Sequence, residues 1–367
     1  MHRRHRCAAL AITLISSSLL VPIPVQADDR AYVLRAADLP ALPVPVANNA
    51  VASLTINGTQ YIISFAGIGP GRRHSDIHAR VFVLSDKNIA WVEQVAVPGK
   101  VGRLAATAAA VGELVYVFGG YSVTADGTEV STAWVHSFDP ETSQFKELSP
   151  MPVPVDDAVS VVFANRYIYL ISGWHDLGNV NLVQRYDTAT DSWIQATPVA
   201  GNSLFGHAGG IVDNKIVYCD GVRIQPNPDG PRSFVANSEC FLGIIDDKDG
   251  RRIDWRPIAP HPGLPRYRMA SAGIPSLNAV LFIGGSENPY NFDGVGYDGE
   301  PSEPANDALL LNLETRHWQV LDQATAPTMD HRGLVPFNKR WVTVGGMLSG
   351  QKVSGGVVSY WLVKQPD

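Results

Sequence analysis

The sequence predicts an all-β fold, a propeller of six blades, and three observations carry that reading. An apolar strand ending in a small residue and then glycine recurs six times, as IISFAG, VYVFGG, IYLISG, IVYCDG, VLFIGG and WVTVGG, closing at Gly67, Gly120, Gly173, Gly221, Gly285 and Gly346. The steps between these glycines are 53, 53, 48, 64 and 61 residues, near the period of ~50 of one class of four-stranded blade repeat. Downstream of five of them an aromatic residue follows a polar turn: Trp91, Phe145, Trp193, Trp255 and Trp318. Elsewhere short β-branched runs alternate with Gly, Pro, Asn and Asp turns, and helical periodicity is almost absent.

Taken in order, the chain opens with MHRRHR, a basic segment, followed by an apolar run from Cys7 to Val21 too short to span a bilayer. VQA then ends at Ala27 with small residues where a signal peptidase cuts. Residues 1–27 read as a secretory leader and residues 28–367 as the propeller, which makes a periplasmic protein the expectation; no later apolar stretch is long enough to cross a membrane. Without Arg3, Arg4 and Arg6 the chain carries 26 basic and 35 acidic side chains, and this balance argues against nucleic acid as a partner. AYVLRAADLPALP, residues 31–43, resembles the outer strand and exit turn after the other blades, whereas the last blade stops at VVSYWLVK without its aromatic. Pairing these two segments closes the ring and removes two sheet edges. Beyond the leader only Cys219 and Cys240 remain, forming either one bridge or two buried thiols.

The glycine doublet, the later aromatic and the intervening YD or FDP resemble kelch motifs over essentially the whole chain after the leader. That resemblance implies a six-bladed kelch β-propeller, with strands a to d running outward from the axis and the last blade closed by an N-terminal strand. The pattern is similar to the bacterial N-acetylneuraminate epimerase (sialic acid mutarotase) group and to the kelch domain of galactose oxidase. The first resemblance implies a mutarotase or epimerase acting on a small, acidic sugar. Its catalytic Glu falls on Val222 and its Arg on Arg223 or Arg232, leaving His207, Glu287 and His331 for acid–base work. Copper-radical oxidation is not expected, since both cysteines belong to the fourth blade and the sequence ends at Asp367.

In this topology the b–c loops and the segments leading into strand a share one rim. The lead-in segments ANNAV, GRLAAT, VDDAVS, FGHAGG, YRMASA and DHRGLV place Asn48 or Asn49, Arg103, Asp156 or Asp157, His207, Arg268, and His331 with Arg332 toward the axis. A merely hydrated channel does not need acid, base and imidazole together. The b–c loops, at 69–78, 121–129, 174–181, 222–237 and 286–307, add a second ring. The last of these carries Tyr290, Phe292 and Tyr297, aromatics that a disordered linker lacks and that stack on sugar rings. After the third glycine Trp174, His175 and Asp176 crowd one turn; His175 and Asp176 either face the ligand or, for Asp176, cap the turn.

The candidate catalytic residues are therefore His207, His331 and Glu287, and the candidate substrate-binding residues Arg103, Asp157, His175, Asp176, Arg268, Arg332 and Tyr290. A histidine can take the proton of an anomeric hydroxyl or protonate the ring oxygen near neutral pH. Arg103, Arg268 and Arg332 offer a bidentate clamp for a sugar carboxylate. No cofactor and no metal is expected: His74 and His78 lead into strand c, where four residues span ~13 Å and cannot share an ion. GIGPGRR opens no helix, which rules out a phosphate loop, and no GxSxG elbow occurs. The partner expected is a small sugar or glycan. The competing class is a noncatalytic propeller that binds glycan or protein on the same rim.

Overall fold

The computed structural model describes residues 32–99, 101–322 and 325–365; the predicted leader lies outside them. The inner strands are apolar at nearly every position because both of their faces meet a neighbouring blade. In Thr59–Ile68, Ile63 and Phe65 pack toward the second blade while Ile62 packs toward the sixth. In Tyr167–Ile171, Tyr169 and Ile171 face the fourth blade and Ile168 and Leu170 the second. Side chains alternate across a strand, so one sequence run serves two interfaces. Burying each such side chain contributes ~2 kcal/mol.

Six four-stranded antiparallel sheets result. From axis to edge, the first blade uses Ala50–Ile56, Thr59–Ile68, Ile77–Ser85 and Val92–Gln94, and the third Val159–Phe163, Tyr167–Ile171, Val183–Asp187 and Ser192–Gln195. Six apolar clusters fill the six interfaces between adjacent blades, and a seventh lies as a layer beneath one rim. The outer-strand tryptophans fasten each blade to the one before it. Indole Nε1 of Trp91 donates to Pro40 O at 2.7 Å, of Trp193 to Ser149 O at 2.9 Å, of Trp255 to Thr197 O at 3.2 Å and of Trp318 to Ala259 O at 2.9 Å. Phe145 has no such donor and packs on Phe138 and Phe65 instead.

The ring closes as the termini suggest. Tyr32–Leu39 pairs antiparallel with Val357–Lys364, from Tyr32 opposite Lys364 to Leu39 opposite Val357, and supplies strand d of the sixth blade. Cys219 and Cys240 are directly opposite in neighbouring strands of the fourth blade, their α-carbons 4.2 Å apart, and are joined by a disulfide. Among the described residues no helix is long and apolar enough to cross a membrane.

Deleting residues 32–46 strips the sixth blade of its outer strand and removes the carbonyl that holds Trp91. The expected outcome is a large loss of melting temperature or of soluble protein; a truncated chain that melts like the full one contradicts closure by this strand.

Candidate functional site

The rim is organised by the repeated glycines. Gly173 has φ +112°, and a Cβ on it would lie 2.7 Å from the carbonyl oxygen of Asp156. Only glycine tolerates both conditions. The close approach lets the next residue, Trp174, pair with Asp156 as an isolated β-bridge, and the same bridge recurs in every blade: Ala47 with Ile68, Leu104 with Tyr121, Phe205 with Val222, Tyr267 with Ser286 and Met329 with Met347.

One residue past each bridge the chain turns into the left-handed region. Asn48, Ala105, Asp157, Gly206, Arg268 and Asp330 have φ between 51° and 69° and form a ring about the axis. Their amides link blade to blade: Asp157 N to Ala105 O, Gly206 N to Asp157 O, Arg268 N to Gly206 O and Asn48 N to Asp330 O. Ala105 N donates instead to the Asn48 side chain at 2.6 Å. Five non-glycine residues in this region store strain, and such strain concentrates at functional or tightly determined positions.

Three of these residues are charged, and together with Arg332 they neutralise one another. Arg268 donates to Asp157 at 2.6 and 3.2 Å and to Asp330 at 3.0 Å, while Arg332 lies 2.8 Å from Asp157 Oδ1 and donates to Asn48 Oδ1 at 2.7 Å. Their side chains are between 0% and 4% exposed. Burial pushes the Asp157 carboxyl up, but Arg268 and Arg332 together outweigh it and hold it below the usual carboxylate range. At Asp330 burial wins over the same two arginines and the pKa rises. Tyr290 is buried beside this cluster, its ring edge-on to Tyr267 and under the Arg268 guanidinium.

On the rim side of the cluster lies a cavity of about 360 Å³. Its aromatic wall comes from Trp174, Phe205, Phe234 and Tyr297, each within 6.4 Å of another ring centroid. Tyr121 and Phe292 complete the apolar lining, and Glu129, Asp156, Asp157, Asp176, Arg232, Arg268 and Asn291 supply the polar groups. Three of the b–c loops that build it are small hairpins, at Tyr121–Val123 with Glu129–Ser131, Trp174–His175 with Gly178–Asn179, and Val222–Gln225 with Ser233–Ala236.

Ser131 brings two carboxyls side by side in this wall. Its amide donates to Asp176 Oδ1 at 2.7 Å and its hydroxyl to Asp156 Oδ2 at 2.8 Å. Burial, reinforced by the neighbouring Asp157 charge, raises the Asp156 pKa well above that of a free carboxyl. Glu129 is exposed as a residue, yet its carboxyl is crowded by the cavity wall; burial raises its pKa and Arg268 only partly offsets this.

Of the residues expected from sequence, Asp157, Asp176 and Arg268 line this cavity, and Arg332 and Tyr290 lie in the layer that floors it. The axial position expected of Arg103 is held by Ala105. Arg103 points outward and donates to Gly119 O and Trp134 O, just as Arg266, at the same place in the fifth blade, reaches Asp307. The expected arginine clamp is thus corrected: Arg103 is remote, and Arg268 and Arg332 are committed to aspartates.

His207 and His331 each follow a left-handed residue, so they turn under the repeat glycines Gly221 and Gly346 and away from the rim cavity. Neither lines it; both border a second cavity of about 350 Å³ along the inner strands beyond the ion cluster. His331 Nε2 meets Thr328 Oγ1 at 2.8 Å, whereas both ring nitrogens of His207 are buried without a partner. Burial lowers both pKa values to about 4. His175 donates through Nδ1 to Pro154 O, and Glu287 is exposed outside the cavity. Among the described residues no cluster of three or more His, Cys, Asp or Glu suits a metal ion.

Two measurements separate structural from ligand-facing charge. Arg268→Met leaves buried carboxylates uncompensated and is expected to cost ~3–5 kcal/mol in urea unfolding; an unchanged midpoint contradicts the ion cluster. His207 is buried neutral, and its folded pKa of about 4 lies below the 6.5 of an unfolded imidazole. As pH falls from 6.5 toward 4 the unfolded chain gains a proton that the folded chain refuses, so this histidine destabilises increasingly. The stability of His207→Leu relative to wild type should rise over that window; a constant difference contradicts a buried neutral ring.

Comparisons with known proteins agree with this architecture. The Kelch motif matches residues 102–152. Kelch-like protein 15 of Homo sapiens is 22% identical over 289 residues, 78% of this chain and 45% of the relative. Beta-scruin of Limulus polyphemus is 26% identical over 188 residues, 49% of this chain and 19% of the relative. The chain spans less than half the length of these curated relatives. A solved structure of YjhT superposes with a TM-score of 0.68 at 18% identity, covering 90% of this chain and 97% of that one, a likeness of fold. Together they show a six-bladed β-propeller that is similar to kelch-repeat proteins.

Proposed function

We propose that the protein binds a small reducing sugar in the rim cavity and interconverts its forms, as a mutarotase or epimerase does. The observation that carries this reading is the pair of carboxyls clamped by Ser131, facing a cavity walled by a cluster of aromatic rings. A cavity of about 360 Å³ suits a ligand of one or two sugar rings, and aromatic faces against polar groups are the usual way to hold such a ligand in orientation. Opening a pyranose requires one group to protonate the ring oxygen and another to take the proton of the anomeric hydroxyl. In this reading Asp156, kept protonated by burial and by Asp157, is the donor. Asp176, whose Oδ1 is fixed by the Ser131 amide, is the acceptor. The pair then replaces the histidines as the acid–base machinery.

The Cys219–Cys240 bridge fits an oxidising compartment, as the leader-like residues 1–27 do, and we place the activity outside the cytoplasm. The resemblance to the N-acetylneuraminate epimerase group supports the reaction class more than the acidic substrate, because the arginines expected to hold a carboxylate are neutralised by Asp157 and Asp330.

NMR exchange spectroscopy of anomeric protons over a panel of neutral, acidic and amino sugars tests this directly. At least one sugar should exchange faster with enzyme present, and Asp156→Asn should slow that exchange by ~10²-fold or more without unfolding the protein. Because the donor must be protonated, the rate should fall as pH rises through the elevated Asp156 pKa. Binding of a sugar with no acceleration of exchange would leave a noncatalytic glycan-binding propeller.

A further inference from the structure

The charge around the rim cavity is one-sided once the ion cluster is set apart. Arg268 and Arg332 are matched by Asp157 and Asp330, and Asp156 is kept protonated by burial, which leaves the carboxylates of Glu129 and Asp176 facing a single further cation, Arg232. That arginine makes no ion pair with either of the two among the described residues. Its guanidinium lies over the rings of Trp174 and Phe234, 5.0 and 5.7 Å from their centroids, and donates to Leu177 O at 2.6 Å.

The aromatic wall therefore already holds an organic cation, supplied by the chain itself from the exposed tip of a hairpin. Trp174, Phe205, Phe234 and Tyr297 form one contiguous cluster of tilted and edge-to-face rings, the centroids of Phe234 and Tyr297 being 4.5 Å apart. Aromatic faces are negative and attract cations, most strongly where water is excluded. Carboxyls set opposite such faces complete a site for an ammonium group. The same carboxylates repel an anionic ligand and gain no charge partner from a neutral one.

We propose that the ligand of the rim cavity carries an organic ammonium group, so that the sugar is an amino sugar with a free amine. The ammonium sits between the aromatic wall and the carboxylates of Glu129 and Asp176, either displacing the Arg232 guanidinium or packing beside it. The inference rests on the sugar reading for the remainder of the ligand, and the two are separable by experiment.

Calorimetric titration with glucosamine, glucose, glucuronate and choline, slightly below neutral pH so that the amine is protonated, distinguishes them. Glucosamine should bind about tenfold more tightly than glucose, with glucuronate weakest. Glu129→Gln, on an exposed hairpin, should weaken glucosamine more than glucose and so reduce that preference several-fold; an unchanged preference overturns the ammonium inference. Equal affinity for glucose and glucosamine, or preference for glucuronate, overturns the ammonium inference and leaves the sugar reading intact. Binding of choline with no binding of any sugar keeps the cation and overturns the sugar reading. No binding of the four overturns both.

Discussion

The close approach of each strand-b glycine to its own strand-a lead-in, to a carbonyl oxygen in five blades and to the His207 backbone in the fourth, is the contact on which the rest of the rim depends. At Gly120 a Cβ would lie 2.5 Å from Leu104 O. Any side chain there would push the b–c loop off the lead-in and break the bridge between Leu104 and Tyr121. The bridge fixes which lead-in residue turns left-handed, and that residue passes its amide or carbonyl to the next blade. A one-residue shift would exchange the axial side chains for those now buried under the glycines. Local backbone geometry in one blade thus sets the composition of a site shared by all six.

Buried charge at the axis follows from this geometry and serves the ring before any ligand. Two arginines and two aspartates from three blades balance one another in a buried space, and their value lies in locking blades three, five and six in register. Such clusters add little net stability over apolar packing, but they penalise any arrangement that separates the partners. With the axial arginines paired to aspartates, chemistry moves outward to the rim, where Ser131 bonds both Asp156 and Asp176 and the hairpins bring their aromatics.

Much of the fold was legible in the sequence because the interactions that make it recur. The glycines repeat because the close approach repeats, and Trp91, Trp193, Trp255 and Trp318 repeat because each reaches back to the preceding blade. The closing strand was legible from the missing aromatic at one end and the orphan strand at the other. The site was legible only in outline. Polarity of the lead-in segments pointed to the right rim, but among consecutive polar residues it could not decide which faces the axis. His207 and His331 stood out as chemistry, yet each follows the left-handed residue and turns into its blade. Asp330, one residue before His331, occupies the axial position instead. Ser131 and Glu129 carry no signal at all, since their importance arises from a hairpin that folds them over the third blade. Phe205 and Phe234 meet only in three dimensions.

The central claim is that ligand chemistry belongs to the rim carboxyls and aromatics, with the axial arginines and histidines structural. A crystal structure of the protein soaked in glucosamine tests it most directly. The account predicts a sugar stacked against Trp174, Phe234 and Tyr297, with Asp156 and Asp176 within hydrogen-bond distance of its anomeric centre and the Asp157–Arg268–Asp330–Arg332 cluster unchanged beneath it. A sugar found instead in the inner-strand cavity against His207, or held by Arg268 or Arg332 with their aspartates displaced, would contradict it.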